Sequence, residues 1–179
     1  LFAENAKELG IDLSKVDTAF LSHAHYDHSG GFEEFFKEND KAAVYMQETS
    51  AENCFYRTEG KEKYIGIPQH LLENYKERFR PLNAVCEVEK GVWVVPHFTG
   101  GLDEMGRRAH MYRKIGEEFI ADDFAHEQSV VFETGKGLVI FNSCSHGGIV
   151  NIVREVHLFL RRDHQPPEKV FLHRTALNE

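Results

Sequence analysis

Cysteine is scarce in this sequence: only Cys54, Cys86 and Cys144 occur in 179 residues, and no two form a C-x-x-C pair. An odd, scattered set argues against a disulfide framework and for a reducing compartment, so a cytoplasmic protein is expected. No apolar run approaches membrane-spanning length, and no basic segment followed by an apolar one opens the chain, so no membrane partner is expected. Positive charge is also short. There are 21 lysines and arginines against 29 aspartates and glutamates, a net charge of −8 with no basic stripe, which argues against nucleic acid as the main partner. Internal repeats and low-complexity segments are missing as well. The chain opens at Leu1, not Met, and runs straight into a helix-like segment, so upstream residues are expected to have been lost, as a mature start or a missing strand.

What is present is an ordinary globular mixture, 41% hydrophobic and 28% charged, long enough for a single domain with a proper core over residues 1–179. Residues 2–9 read as a helix ended by Gly10, and Asp17 to Leu21 as a short buried strand. Phe32, Phe35 and Phe36 fall at helical spacing, with Glu33, Glu34 and Lys37 on the other side. Ala42 to Met46 reads as the next strand, and this strand–loop–helix–strand order predicts an α/β fold. Residues 48–80 are polar and aromatic, with a helix expected from Pro68 to Phe79, and are read as an insertion or lid. Val85 to Val95 carries a hairpin signal at Glu89-Lys90-Gly91, residues 99–128 look irregular, and a second hairpin turns at Thr134-Gly135-Lys136-Gly137. Ile149 to Leu160 reads as a helix, Pro166-Pro167 as a stop, and Val170 to Leu172 as a last strand.

The chemistry concentrates in His23-Ala24-His25-Tyr26-Asp27-His28, closed by Gly30-Gly31. In an extended segment, side chains at i and i+2 point the same way, so His23 and His25 aim two imidazoles at one point. After His25 the chain must turn, and the adjacent Asp27 and His28 can face a second ion nearby. Imidazole plus carboxylate suits Zn²⁺, as one or two ions, with Fe or Mn also compatible. The competing explanation is a surface loop that happens to be rich in histidine. Three histidines and an aspartate within six residues, after a buried strand and before two glycines, argue against it.

This segment resembles the H-x-H-x-D-H motif of the metallo-β-lactamase superfamily. The resemblance implies an αββα sandwich, here expected to be incomplete at both ends, with metals at one edge of two sheets. It also implies that His23 and His25 hold the first metal, and Asp27 and His28 the second. A further stretch, Phe141-Asn142-Ser143-Cys144-Ser145-His146-Gly147-Gly148-Ile149-Val150-Asn151, is similar to the C-S-H-x-G-I-V-N element of one branch. That branch is the 7,8-dihydropterin-6-methyl-4-(β-D-ribofuranosyl)-aminobenzene-5′-phosphate synthases, and Glu127-Gln128-Ser129 fits it too. His146, at a strand end, is the expected third ligand of the first metal, while Cys144 is either a soft ligand or a small buried residue, with burial favoured. The superfamily also supplies a bridging aspartate and a last histidine. Neither is obvious here; His173 is a better positional candidate for the latter than His157.

His97 at a strand end could line the site, and the acidic pair Asp122-Asp123 before His126 could contribute a ligand, but for His97, His110 and His126 the background reading is favoured. Arg107, Arg108, Arg113 and Lys114 form a basic cluster that a substrate phosphate would suit, or simply a solvated face. The leading expectation is a hydrolase using a metal-activated water on a small-molecule substrate, with Asp27 as the catalytic residue. Two alternatives stand beside it: a dihydropterin-forming transferase releasing pyrophosphate, and a metal-binding protein with degraded catalysis.

Overall fold

Two separate apolar clusters organise the chain. The computed structural model describes residues 2–160 and the backbone of 170–174. The chain opens with α1 (Phe2–Glu8) and reaches β1 (Thr18–Phe20) through a 3-10 turn at Leu13–Lys15, where the Asp12 carboxylate accepts from the Ser14 amide. The histidine motif follows directly and closes in one helical turn, α2 (Tyr26–Ser29), before α3 (Phe32–Glu38) and β2 (Ala43–Gln47). Next come β3 (Asn53–Thr58), β4 (Lys61–Tyr64), α4 (Gln69–Asn74) and β5 (Phe79–Leu82). They lead to β6 (Cys86–Glu89), β7 (Val92–Pro96), α5 (Asp103–Arg108), β8 (Met111–Ile115) and β9 (Glu118–Ala121). The last elements are β10 (Gln128–Thr134), β11 (Gly137–Asn142), α6 (Ile149–Leu160) and β12 (Val170–Arg174).

The strands make a parallel sheet β1-β2-β5, a mixed five-stranded sheet β12-β11-β10-β7-β6, and an antiparallel sheet β4-β3-β8-β9. The first cluster packs Ala6 of α1 and Phe35 and Phe36 of α3 against Val44, Met46 and Phe79 of the parallel sheet. The second sets Ile152 and Val156 of α6 against Val95, Val131 and Ile140 of the five-stranded sheet. Helices therefore cover the outer sides of two sheets, the mixed α/β arrangement expected. Gln128 stitches the two sheets together. Its amide nitrogen donates to the carbonyls of Leu21 (2.8 Å) and Tyr45 (3.0 Å), its Oε1 accepts from Gln47 (2.7 Å), and its backbone N–H donates to Ser22 (2.9 Å). That seam puts the start of β10 beside the residue preceding His23.

The expected helices at 2–9 and 149–160 and both hairpins are present. β12 also forms, parallel to β11 with His173 opposite Phe141, while the Pro166-Pro167 stop and the side chain of His173 lie outside the described residues. The first strand is shorter than expected and half-buried; it is Leu21, just past its end, that is enclosed. The reading of 48–80 as an insertion or lid is corrected. Cys54, Ile65, Ile67, Leu71 and Phe79 of this segment are all buried in the first cluster, and β5 completes the parallel sheet. Polar residues on the outer faces of β3 and β4 hid these inward positions. The expected helix from Pro68 to Phe79 stops at Asn74, with Pro68 as its cap. Residues 99–128, read as irregular, contain α5, β8 and β9. No helix among the described residues is long and apolar enough to cross a membrane.

Leu71 is fully enclosed. Replacing it with alanine is expected to cost about 2–5 kcal/mol of stability, the usual price of an unfilled core cavity. Denaturant unfolding checks this, since a solvent-facing cover residue would cost well under that.

Candidate metal centre

The loop leaving β1 is extended through His25, so His23 and His25 share one side, and both are buried. Their rings lie 4.8 Å apart, centroid to centroid. His146 arrives from the loop between β11 and α6, where Ser145 takes a left-handed φ of 59°. Its ring is 5.2 Å from His23 and 5.5 Å from His25, and it lies flat on Phe124 at 4.1 Å. The donor atoms of His23, His25 and His146 fall within 4.8 Å of one another. The Nε2 atoms of His23 and His146 are buried with no hydrogen-bond partner among the described residues. An unpaired buried polar nitrogen costs about 1–3 kcal/mol. A cation seated among the three lone pairs removes that cost, so the donor set fits a metal ion.

Behind this trio stands Asp122, fully buried. His126 Nδ1 accepts from the Ala24 amide (3.2 Å), so the His126 proton sits on Nε2 and is donated to Asp122 Oδ2 at 3.1 Å. His25 Nε2 donates to the same oxygen at 3.4 Å, which turns the Nδ1 lone pair towards the other imidazoles. Asp122 Oδ1 accepts from the Phe124 amide at 2.8 Å. Burial alone would raise this carboxyl, but the hydrogen bonds from His126 and His25 outweigh it and hold the acid well below the usual carboxylate range. Arg113, itself buried, lies 3.8 Å away and pairs with Asp123 (2.8 Å) and Glu52. On the far side, α5 presses so closely that a Cβ on Gly106 would stand 2.1 Å from the Asp122 carbonyl oxygen. Glu127 holds the loop that carries His146, not its ring: its buried carboxylate accepts from the backbone amides of His146 and Gly147, both at 3.0 Å.

The second half of the motif occupies the rim. Asp27 has a side chain 57% exposed and lies 3.3 Å from His28 Nε2. The His28 ring is 4.1 Å from His23, its Nδ1 is 3.1 Å from Ser143 Oγ, and its Nε2 is 3.3 Å from Cys144 Sγ. His23, His28 and Cys144 thus form a further group of close donors. All the residues expected at the site converge: His23, His25, His28 and His146 in one cluster and Asp27 at its edge. Asp122 and His126, set aside as background, and Glu127, given no role of its own, were underrated. The D-x-x-x-H spacing beside Glu127 was the available signal, read as background because nothing local ties it to residues about a hundred positions earlier. The basic cluster is corrected. Arg107 and Arg108 pair with Asp103 and Glu104 on their own helix, Arg113 is buried among carboxylates, and Lys114 sits near Glu117. His110 is exposed, and His97 is 3.0 Å from the Phe124 carbonyl, behind the His146 loop.

His23 and His146 are held neutral, as donors to a cation must be. Burial first, then the neighbouring histidines, pushes His23 well below the ordinary imidazole value and His146 down to about 3. His28 is lowered by burial against an opposing pull from Asp27. In the metal-free protein, the unfolded chain takes up protons below about pH 6.5 that the folded chain refuses, so stability falls with pH. For His146 the loss continues down to about pH 3. The melting temperature of the metal-free protein is expected to drop from pH 7 to pH 4, and less steeply in His146→Ala. Equal slopes would show that His146 is not held neutral by burial.

Residues 1–150 match the family model of the metallo-beta-lactamase superfamily. The chain is 27% identical, over 168 residues, to the 7,8-dihydropterin-6-methyl-4-(beta-D-ribofuranosyl)-aminobenzene-5′-phosphate synthase of Methanocaldococcus jannaschii, covering 84% of this chain and 54% of that one. It is 32% identical over 89 residues to the anti-Pycsar protein Apyc1 of Paenibacillus harenae, covering 46% of this chain and 35% of that one. Among solved structures, Tm1679, a metal-dependent hydrolase of the beta-lactamase superfamily, superposes with a TM-score of 0.68 at 26% identity, covering 88% of this chain and 57% of Tm1679. The chain thus spans roughly half the length, or less, of these relatives. With its motif, its two helix-covered sheets and its buried histidine cluster all in agreement, the chain belongs to the metallo-beta-lactamase superfamily.

Proposed function

We propose that this chain is a metal-dependent hydrolase in which His23, His25 and His146 hold one ion and Asp27 and His28 contribute to a second. The observation that carries this reading is the pair of buried Nε2 atoms on His23 and His146 that have no partner among the described residues, set within one cluster of imidazoles. When bound, such an ion supplies Lewis acidity, activating a water and polarising the bond it attacks. The nitrogen-rich donor set suits Zn²⁺, with Fe and Mn compatible. Asp122 and Glu127 act one step back, Asp122 fixing the ring of His25 and Glu127 holding the backbone that carries His146, whose ring is stacked on Phe124, before an ion arrives. Asp27 is the one carboxylate of the motif that reaches solvent. In this reading its Oδ2 orients a water at the rim and takes its proton. The substrate is a small molecule reaching this open edge; the phosphate in the name of the archaeal relative supports a phosphate-bearing one. Three cysteines outside any disulfide support a cytoplasmic setting.

That relative's name, synthase, favours a second reading, the dihydropterin-forming transferase, on the same cluster. Metal-loaded protein assayed against phosphodiesters and lactones on one hand, and for pyrophosphate release from a dihydropterin on the other, separates the two. Metal bound tightly with no turnover of either class would instead mean degraded catalysis.

His146→Ala is expected to weaken metal binding by more than the roughly 10–100-fold that loss of an outer hydrogen-bond partner costs. Metal content per chain, measured after dialysis, reads this out, and an unchanged content overturns the assignment. Asp27→Asn is expected to keep its melting temperature, because an amide of nearly the same size sits at an exposed position. Its kcat should fall by about 10²–10⁴, the span of general acid–base contributions. A normal kcat with metal content intact would remove Asp27 from the chemistry.

A further inference from the structure

We propose that Cys144 supplies a thiolate ligand to the second ion, making that position a mixed nitrogen–oxygen–sulfur site. The inference rests on the reading above, that the cluster holds metal. It starts from His28. Ser143 Oγ engages Nδ1 of that ring at 3.1 Å, which leaves the Nε2 lone pair facing the opposite way. Two other donors meet that atom at the same separation: Cys144 Sγ at 3.3 Å and Asp27 Oδ2 at 3.3 Å. Nitrogen and sulfur donors bound to one zinc ion at about 2.0 and 2.3 Å stand roughly 3.5 Å apart across a tetrahedron. The observed spacing is therefore close to that of two ligands sharing an ion. The wholly buried His23, whose Nε2 has no partner among the described residues and is the first ion's ligand, belongs also to the close group of His28 and Cys144, so the second position directly adjoins the first. The loop around Cys144 is pinned at several points. Ser143 holds His28, Ser145 Oγ donates to Asn142 Oδ1 at 2.8 Å, and the His146 amide is clamped by Glu127. The thiol is thus fixed at the rim of the cluster and half-buried, unlike Cys54, which is sealed in the first core.

On ligation the thiol gives up its proton to solvent and the sulfur lone pair goes to the ion, with no change of oxidation state. A soft sulfur ligand next to imidazole selects thiophilic divalent ions such as Zn²⁺ and Co²⁺ over Mg²⁺ and Mn²⁺. The bland alternative is an S–H donating to the His28 nitrogen with no ion involved.

The test replaces the native metal with cobalt(II) on the intact chain. Wild-type protein is expected to show a thiolate-to-cobalt charge-transfer band in the near ultraviolet. Cys144→Ser should lose that band while keeping the visible ligand-field bands of the remaining cobalt, and Cys54→Ser and Cys86→Ser should keep it. In parallel, saturating zinc should slow iodoacetamide alkylation of wild-type Cys144 by more than about tenfold, since a metal-held thiolate is not free to attack. This arm decides the matter if Cys144→Ser fails to fold. Cobalt bound without the charge-transfer band, a band lost with Cys54 rather than Cys144, or alkylation indifferent to zinc would overturn the thiolate while leaving the histidine site standing. Protein that binds no cobalt and no zinc at all would overturn both.

Discussion

Everything at this centre hangs on one buried carboxylate. Asp122 has no exposure to water, and its charge is compensated only by what the fold brings to it: two imidazole N–H groups, one backbone amide and a nearby guanidinium. A buried charge is tolerable when every partner is in place and very costly when one is missing. The partners come from the loop after β1, from the stretch after β9 and from β8, so these segments must be correctly placed together or not at all. The same carboxylate that enforces this decides which nitrogen of His25 is left bare.

The arrangement also explains why the imidazoles can be packed so tightly. Neutral rings repel little and satisfy one another poorly, and two nitrogens of the metal-free cluster are buried with no partner among the described residues. That deficit is a standing affinity for a cation, because an ion that binds the folded chain and not the unfolded one adds its binding energy to the stability of the fold. Left-handed backbone at Phe124 and Ser145, the residue stacked on His146 and the residue before it, is further strain held at the same place.

What could be read in the sequence was what is contiguous. The motif from His23 to His28 and the run from Phe141 to Asn151 each carry their ligands within a few residues, and the Thr134–Gly137 turn and the amphipathic α6 announce themselves by local pattern. Asp122 and Glu127 were not legible. Their roles come from partners 97 and 19 residues away, and no local periodicity marks a carboxylate that is to be buried. Residues 48–80 misled for the opposite reason. A surface strand pair and a cut-short helix dilute a handful of core positions among charges, so a segment that completes a sheet looks like an appendage.

Gly106 adds a different kind of dependence. Its position on α5 leaves no room for even a methyl group against the Asp122 backbone, so a single hydrogen atom is the spacer between that helix and the residue that orients His25. The outer helix and the inner site are in effect one mechanical part with no slack. A genetic change on the helix, far in sequence from His23, His25 and His146, would therefore register as a defect in metal loading, and a search for inactivating variants confined to the histidine motifs would overlook it.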